Sequence, residues 1–132
     1  RRSIQRRIRQ GAGFMTVEIP RALKADPEVF ALLGDRIYPS SAPLEVEVPY
    51  LVFQGFGSEP DNTLDCGAVN ENNAFQFVVW HTDIKAAEAI RLKASKVLET
   101  ATFFYTGKHP DLEDTESKLF GRGWDMNWWS ER

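Results

Sequence analysis

"NAFQFVVWHTDIKAAEAIRLKASKVLETA" occupies residues 73–101 and runs two periods back to back. In the first ten residues, Phe75, Phe77 and Val79 fall on one phase and Ala74, Val78 and Trp80 on the other. Successive strand side chains point to opposite faces, so this strand is apolar on both. From residue 83 onward, Ile84, Ala87, Ile90, Ala94, Val97, Leu98 and Ala101 recur at helical spacing, while Lys85, Glu88, Ser95 and Glu99 fall off that stripe. Thr82 or Asp83 supplies the N-cap. Strand and helix therefore share one buried side. The strand's second apolar face needs a cover of its own, either terminal segments folded back over it or another subunit.

Working upstream, "PYLVFQGF" (49–56) reads as a strand from its β-branched and aromatic content. Between the two strands, "GSEPDNTLDCGAVNEN" (57–72) is polar and turn-rich: a long loop or an extended hairpin. Loops beyond about 12 residues are uncommon in compact domains and are often functional. Further upstream, "TVEIPRALKADPEVFALLGDR" (16–36) reads as two helical pieces, with Pro20 in a first turn. Asp26 and Pro27 cap and open the second piece, Val29, Phe30, Leu32 and Leu33 face the core, and Gly34 ends it. Ile37-Tyr38 makes a short strand. The crossing from there to Tyr50 is bracketed by Pro39 and Pro49, each of which fixes its own φ and so holds the flanking strands at a fixed offset.

Downstream of the long helix come a mixed stretch, an acidic turn, "PDLEDTES" (110–117), and "LFGRGWDMNWW" (119–129). In the last, Phe120, Trp124, Met126 and Trp128 alternate with Gly121, Gly123, Asp125 and Asn127, giving one apolar and one polar face. The order predicts an α+β fold: a small antiparallel, in part mixed, sheet with helices packed on one face, in a single domain. Residues 1–14 are expected to be a basic N-terminal arm, helical or mobile, and 15–132 the domain, with Met15 as a candidate start.

The chain has 132 residues and a net charge of -3. That balance is uneven. "RRSIQRRIRQGAGF" (1–14) holds five arginines and no acid, leaving 11 basic against 19 acidic residues in the rest. An acidic body with a basic arm suits self-association or an acidic partner and argues against a body that grips nucleic acid. No stretch approaches the roughly 20 apolar residues of a membrane span, and the basic start runs into Gly-Ala-Gly rather than the apolar core of a signal peptide. A single cysteine, Cys66, permits no internal disulfide and points to a reducing compartment.

No catalytic constellation emerges. His81 and His109 lack a ligand pattern, and His81 closes a strand that it can cap. Cys66 has no nucleophile context and reads as a loop thiol. Glu113-Asp114 reads as a solvated turn, and "GFGSEP" lacks the strand-to-helix setting of a phosphate loop. No cofactor or metal is expected. The candidate functional residues are contact residues: Arg1, Arg2, Arg6, Arg7 and Arg9 on the arm, and Glu59, Asp61, Asn62, Asp65, Asn70, Glu71 and Asn72 along the loop.

The segment 23–54 resembles the tail-completion, or tail-terminator, proteins of long-tailed phages. Its carriers are Leu32-Leu33-Gly34, then Arg36-Ile37-Tyr38-Pro39, then Pro49-Tyr50-Leu51-Val52, followed by "FQFVVWHTDIKAAEAI" (75–90) as the strand before an alanine-rich helix. The similarity spans roughly residues 17–105, and the arm and the tryptophan-rich end depart from it. The resemblance implies a non-enzymatic virion protein of the tail and neck, assembled in the host cytoplasm. It implies a ring, usually of six copies, that caps the tail tube, stops its polymerisation and offers a joining surface to the head. The partners it implies are other copies of the chain, the tail tube protein and the head completion or connector protein. Genomic DNA would pass without sequence-specific binding, and no membrane is involved. The alternative reading is a nucleic-acid-binding adaptor that uses the arm arginines.

Overall fold

Of the two caps the sequence offers, Asp83 starts the longest helix: its carboxylate accepts hydrogen bonds from the backbone N–H groups of Lys85 and Ala86, at 3.0 and 3.5 Å. His81 closes the strand before it, its Nδ1 accepting from the Thr82 N–H at 2.8 Å. The computed structural model describes residues 11–61 and 70–131. These form α1 (Gly11–Lys24), α2 (Pro27–Leu33), β1 (Ile37–Pro39), β2 (Tyr50–Asp61), β3 (Asn70–His81), α3 (Ile84–Thr100), β4 (Phe104–Lys108), β5 (Leu112–Asp114) and β6 (Leu119–Glu131).

The strands make one sheet in the order β1-β2-β3-β6-β4, with β5 also paired to β6. β1 and β2 run parallel, and every other pair is antiparallel. The sheet is therefore mixed, within the α+β class expected. β6 is its spine. One side of β6 pairs with β3 from Asn70↔Glu131 to His81↔Phe120, and the other side takes β4 and then β5. All three helices pack on one face. Ile19 and Leu23 of α1, Val29 and Leu33 of α2, and Ala87, Ile90, Ala94 and Leu98 of α3 meet Leu51, Phe53, Phe75, Phe77, Val79, Trp124 and Met126 of the sheet.

Several details differ from the sequence reading. α1 begins at Gly11, so Pro20 lies inside the helix rather than in its first turn. The proline removes one helical hydrogen bond, and the fully buried Ile19 and Leu23 hold the helix through packing instead. In α2 only Val29 and Leu33 are buried, while Phe30 and Leu32 remain 49% and 42% exposed. A helix turns 100° per residue, so Val29 and Leu33, four apart, share one face and their apolar neighbours flank it. The segment 57–72 is an extended hairpin as far as it is described: Ser58 through Asp61 pair with Asn73 through Asn70. The mixed stretch and the acidic turn contain β4 and β5, two strands without alternating burial. They are held by backbone pairing to β6, which leaves no hydrophobic period in the sequence.

The proline-bracketed crossing joins two parallel neighbours through residues 40–49 with no helix. Parallel strands usually need a longer crossover. Arg36 shows how the short one is held. Its Nε donates to the Pro49 carbonyl at 2.9 Å and its Nη2 to the Leu32 carbonyl in the last turn of α2 at 3.1 Å. Its own carbonyl accepts from the Leu51 N–H at 3.0 Å. One guanidinium thus ties the end of a helix to the end of the crossing. Arg36→Met keeps most of the apolar stem and removes both side-chain bonds. Hydrogen bonds from a charged donor are worth about 1.5–3 kcal/mol, so the urea midpoint should fall by the equivalent of about 2 kcal/mol at unchanged slope. An unchanged midpoint would show that the clamp is dispensable.

Candidate assembly surface

The face of the sheet without helices is built from the other phase of each strand. Tyr38, Tyr50, Val52, Val78 and Trp80 lie on it, since their cross-strand partners alternate with the core residues. Its middle is shaped by two glycines. In the row Tyr50↔Trp80↔Gly121, a Cβ at position 121 would stand 3.0 Å from the Trp80 ring, so the indole lies directly over β6. A Cβ at Gly123 would meet the Phe77 carbonyl oxygen at 2.7 Å and lie 3.5 Å from the His109 Cβ. Both glycines are buried. The polar face expected for β6 is a surface onto which the chain folds its own segments. Next along, Asp125 pairs with His109 at 2.5 Å, both half-buried.

At the Trp80 end, the crossing and the β5 turn stand over this face. Between them lies a cleft of about 470 Å³ whose lining includes Pro43, Leu44, Glu45, Val46, Tyr50, Trp80, Asp114, Ser117 and Leu119. Asp114 is held below the ordinary carboxylate range, first by the Ser117 hydroxyl and then by backbone N–H groups of Glu116 and Ser117. Tyr50 is pushed above the ordinary phenol range, first by burial and second by the Asp114 charge. The opposite end of the face stays open. There Phe104 and Trp129 are 57% and 48% exposed, beside the half-buried Asn72 and Asn127.

On the helix side, Arg122 sits in the apolar phase of β6, at the row Val79↔Arg122, and is buried. Its Nη1 donates to the Gly121 carbonyl at 3.0 Å, and its Nε lies 3.5 Å from Glu88 and 3.4 Å from Asp111. It joins α3 to the strap that carries β5. The sequence signal was its place in the alternation, where a basic residue occupies an apolar slot.

Of the candidate contact residues, Arg1, Arg2, Arg6, Arg7, Arg9, Asn62 and Asp65 lie outside the described residues. The strands bring the others together: Glu59 pairs across from Asn72, Pro60 from Glu71, and Asp61 from Asn70. Asn72 is in turn opposite Trp129. Sequence reasoning missed the exposed Phe104 and Trp129 and the Arg36 clamp. Among the described residues, no group of three His, Cys, Asp or Glu side chains is positioned to hold a metal ion.

A raised folded-state pKa favours the protonated phenol in the native protein. Tyr50 therefore contributes stability that is present below the ordinary tyrosine pKa of about 10 and is lost as pH rises through the higher native value. Alkaline unfolding should be steeper in the native protein than in Tyr50→Phe. Asp114→Asn should move the Tyr50 absorbance titration down toward the ordinary value; an unmoved titration would remove the Asp114 contribution.

Comparison with known proteins bears on what this surface serves. A family model described as tail completion protein gp17 matches residues 17–131. No significant match exists among curated proteins. Among solved structures, a chain of the virion of native gene transfer agent (GTA) particle is similar, with a TM-score of 0.70 at 14% identity, covering 93% of this chain and 99% of that one. That likeness is one of fold. The family match takes in α2, α3 and all six strands. The chain belongs to the tail completion protein gp17 family, and is thus a structural protein of the virion tail and neck that assembles with other tail components.

Proposed function

We propose that this protein ends tail-tube growth. Copies close into a ring, six in the count usual for such proteins, on the exposed end of the tube. There they stop polymerisation and offer a surface to the head completion or connector protein. The body of the ring would be residues 15–132, with 1–14 as an arm. The observation that carries this reading is the family match over 17–131. The sheet supports it. Among the described residues, helices cover one face only, and the other keeps Phe104 and Trp129 exposed. Stopping a polymer requires no bond to form or break, so the role proposed is non-enzymatic. It requires one surface that mimics the next tube ring and another that refuses further tube subunits. Sheet edges and hairpin ends can supply both, because backbone pairing is open to any matching edge.

The contacts proposed are the hairpin from Glu59 to Asn72 and the arm arginines Arg1 to Arg9. Single exposed ion pairs contribute about 0–1 kcal/mol each, so such contacts act collectively. Tube-end binding would also concentrate subunits, so a weakly associating monomer becomes a ring there.

Particles assembled without this protein should carry tails of uneven, excessive length that fail to join heads, as seen by electron microscopy. Adding the protein back should restore both. Tails of normal length in its absence would overturn the reading. Converting Glu59, Asp61, Asp65 and Glu71 to the corresponding amides should leave the unfolding midpoint unchanged and weaken attachment to purified tubes roughly tenfold, about 1.4 kcal/mol shared over four groups. Attachment at native strength would exclude the hairpin acids from the contact.

A further inference from the structure

Arg91 is a buried cation that the described fold leaves without a counterpart. It lies on α3, 8% exposed, and its Nη1 has no hydrogen-bond partner among the described residues. A buried guanidinium is costly unless it is paired. Its side chain lines a cleft of about 380 Å³ between α3 and the edge strand β4, with Leu92, Lys96, Tyr105 and Lys108 among the other walls. Two carboxylates share that wall. Glu88 is already engaged by Arg122 at 3.5 Å, which leaves Glu99 against Arg91, Lys96 and Lys108. The cleft is therefore net positive, and the exposed Leu92 and Tyr105 give it an apolar rim.

A fitting counterpart lies on the other side of the same sheet. The crossing holds Leu44 out at 95% exposure, directly after Pro43. The next residue, Glu45, is exposed, has a left-handed φ of 60° and makes no ion pair among the described residues. Left-handed backbone at a non-glycine residue is strained and persists where the surroundings impose it. An apolar tip followed by a free carboxylate matches a basic cleft with an apolar rim.

We infer that the Leu44–Glu45 tip of one copy docks in the α3/β4 cleft of the next. The Glu45 carboxylate meets Arg91 and Lys108, and the Leu44 side chain rests on Leu92 and Tyr105. Tip and cleft are different surfaces on opposite faces of the sheet, so the contact is head-to-tail, the kind that generates rings rather than two-fold dimers. This inference rests on the ring reading above and names the subunit contact within it.

The test is a charge exchange between two full-length proteins, E45R and K108E, followed by sedimentation at the highest soluble concentration. Each variant alone should associate at least tenfold more weakly than the native chain, because E45R sets a positive tip against the positive cleft and K108E cancels the cleft's net positive charge. Their equimolar mixture should recover association well above either variant alone, since the E45R tip then meets the K108E cleft and the native tip meets the native cleft. Unfolding curves confirm that both variants fold; K96E replaces K108E if the latter does not. A mixture that fails to recover, single variants that associate normally, or a native chain that stays monomeric would each overturn the inference. Tail length separates the two readings. Recovery in the mixture with overgrown tails would keep the contact and remove the terminator role, and correct tails without recovery would do the reverse.

Discussion

Three aromatic rings, Phe53, Phe77 and Trp124, stand opposite one another on β2, β3 and β6 and fix how the sheet is assembled. Phe77 lies 4.9 Å from Trp124 with the planes 12° apart, and 6.3 Å from Phe53 at 29°. Phe103, just beyond α3, closes on Phe77 edge-on at 6.3 Å and on Phe75 at 6.1 Å. Side chains alternate with period two, so a slip of one residue in any of these pairings would turn the whole row to the other face. The row even outweighs a polar cost. The Trp124 Nε1–H is buried without a partner among the described residues. Such a group costs about 1–3 kcal/mol, while burying a large aromatic side chain removes about 150–250 Å² from water, worth about 4–6 kcal/mol at 25 cal/mol/Å².

The neighbouring rows follow from that register. With Trp124 on the helix side, Gly121 and Gly123 must lie on the other, where Trp80 and the strap around His109 come within contact of the backbone. Two arginines then close the sheet at its margins. Arg36 joins α2 to the crossing beside β1, and Arg122 joins α3 to the strap beside β5. Each binds backbone carbonyls as well as acids, Glu47 lying 3.8 Å from Arg36 and Glu88 and Asp111 beside Arg122, because a guanidinium presents several donors in a fixed fork.

The parts of this fold legible in the sequence were those with a strong period or a cap. The α3 stripe from Ala87 to Leu98, the Asp26 cap and the alternation of Phe75, Phe77 and Val79 stand in the structure as read, Asp83 is the cap of the two residues offered, and Ile84 at the head of the stripe is exposed. What escaped had no period to show. β4 and β5 bury no alternating side chains, so nothing in "FYTGK" or "LED" announces them. The glycines of β6 read as a polar phase because a glycine says nothing of what lies above it. Phe30 and Leu32 read as core because in a short apolar run every residue looks equally inward. The assembly surface was less legible still. A contact between copies leaves no fixed residue spacing, and exposure of Phe104 or Leu44 appears only when the neighbours in space are known.

In the assembly proposed, charge would set the terms on which copies of this chain meet. Beyond the five arginines of residues 1–14, the body carries 11 basic and 19 acidic residues. Two such bodies repel at long range. At physiological ionic strength that repulsion is screened over about 8 Å, so the sign of the interaction is decided by the groups that come into contact rather than by the total. A contact between acidic bodies then needs a place where one copy is locally positive. Among the described residues, Arg91, Lys96 and Lys108 gather in one concave site at a sheet edge, and the partner proposed for it is a carboxylate beside an exposed apolar side chain. In the ring proposed, the same chain carries both surfaces, so each copy would keep one tip and one cleft unfilled until the circle closed. On that reading, repulsion between the acidic bodies would disfavour random association without opposing the one geometry in which every tip meets a cleft.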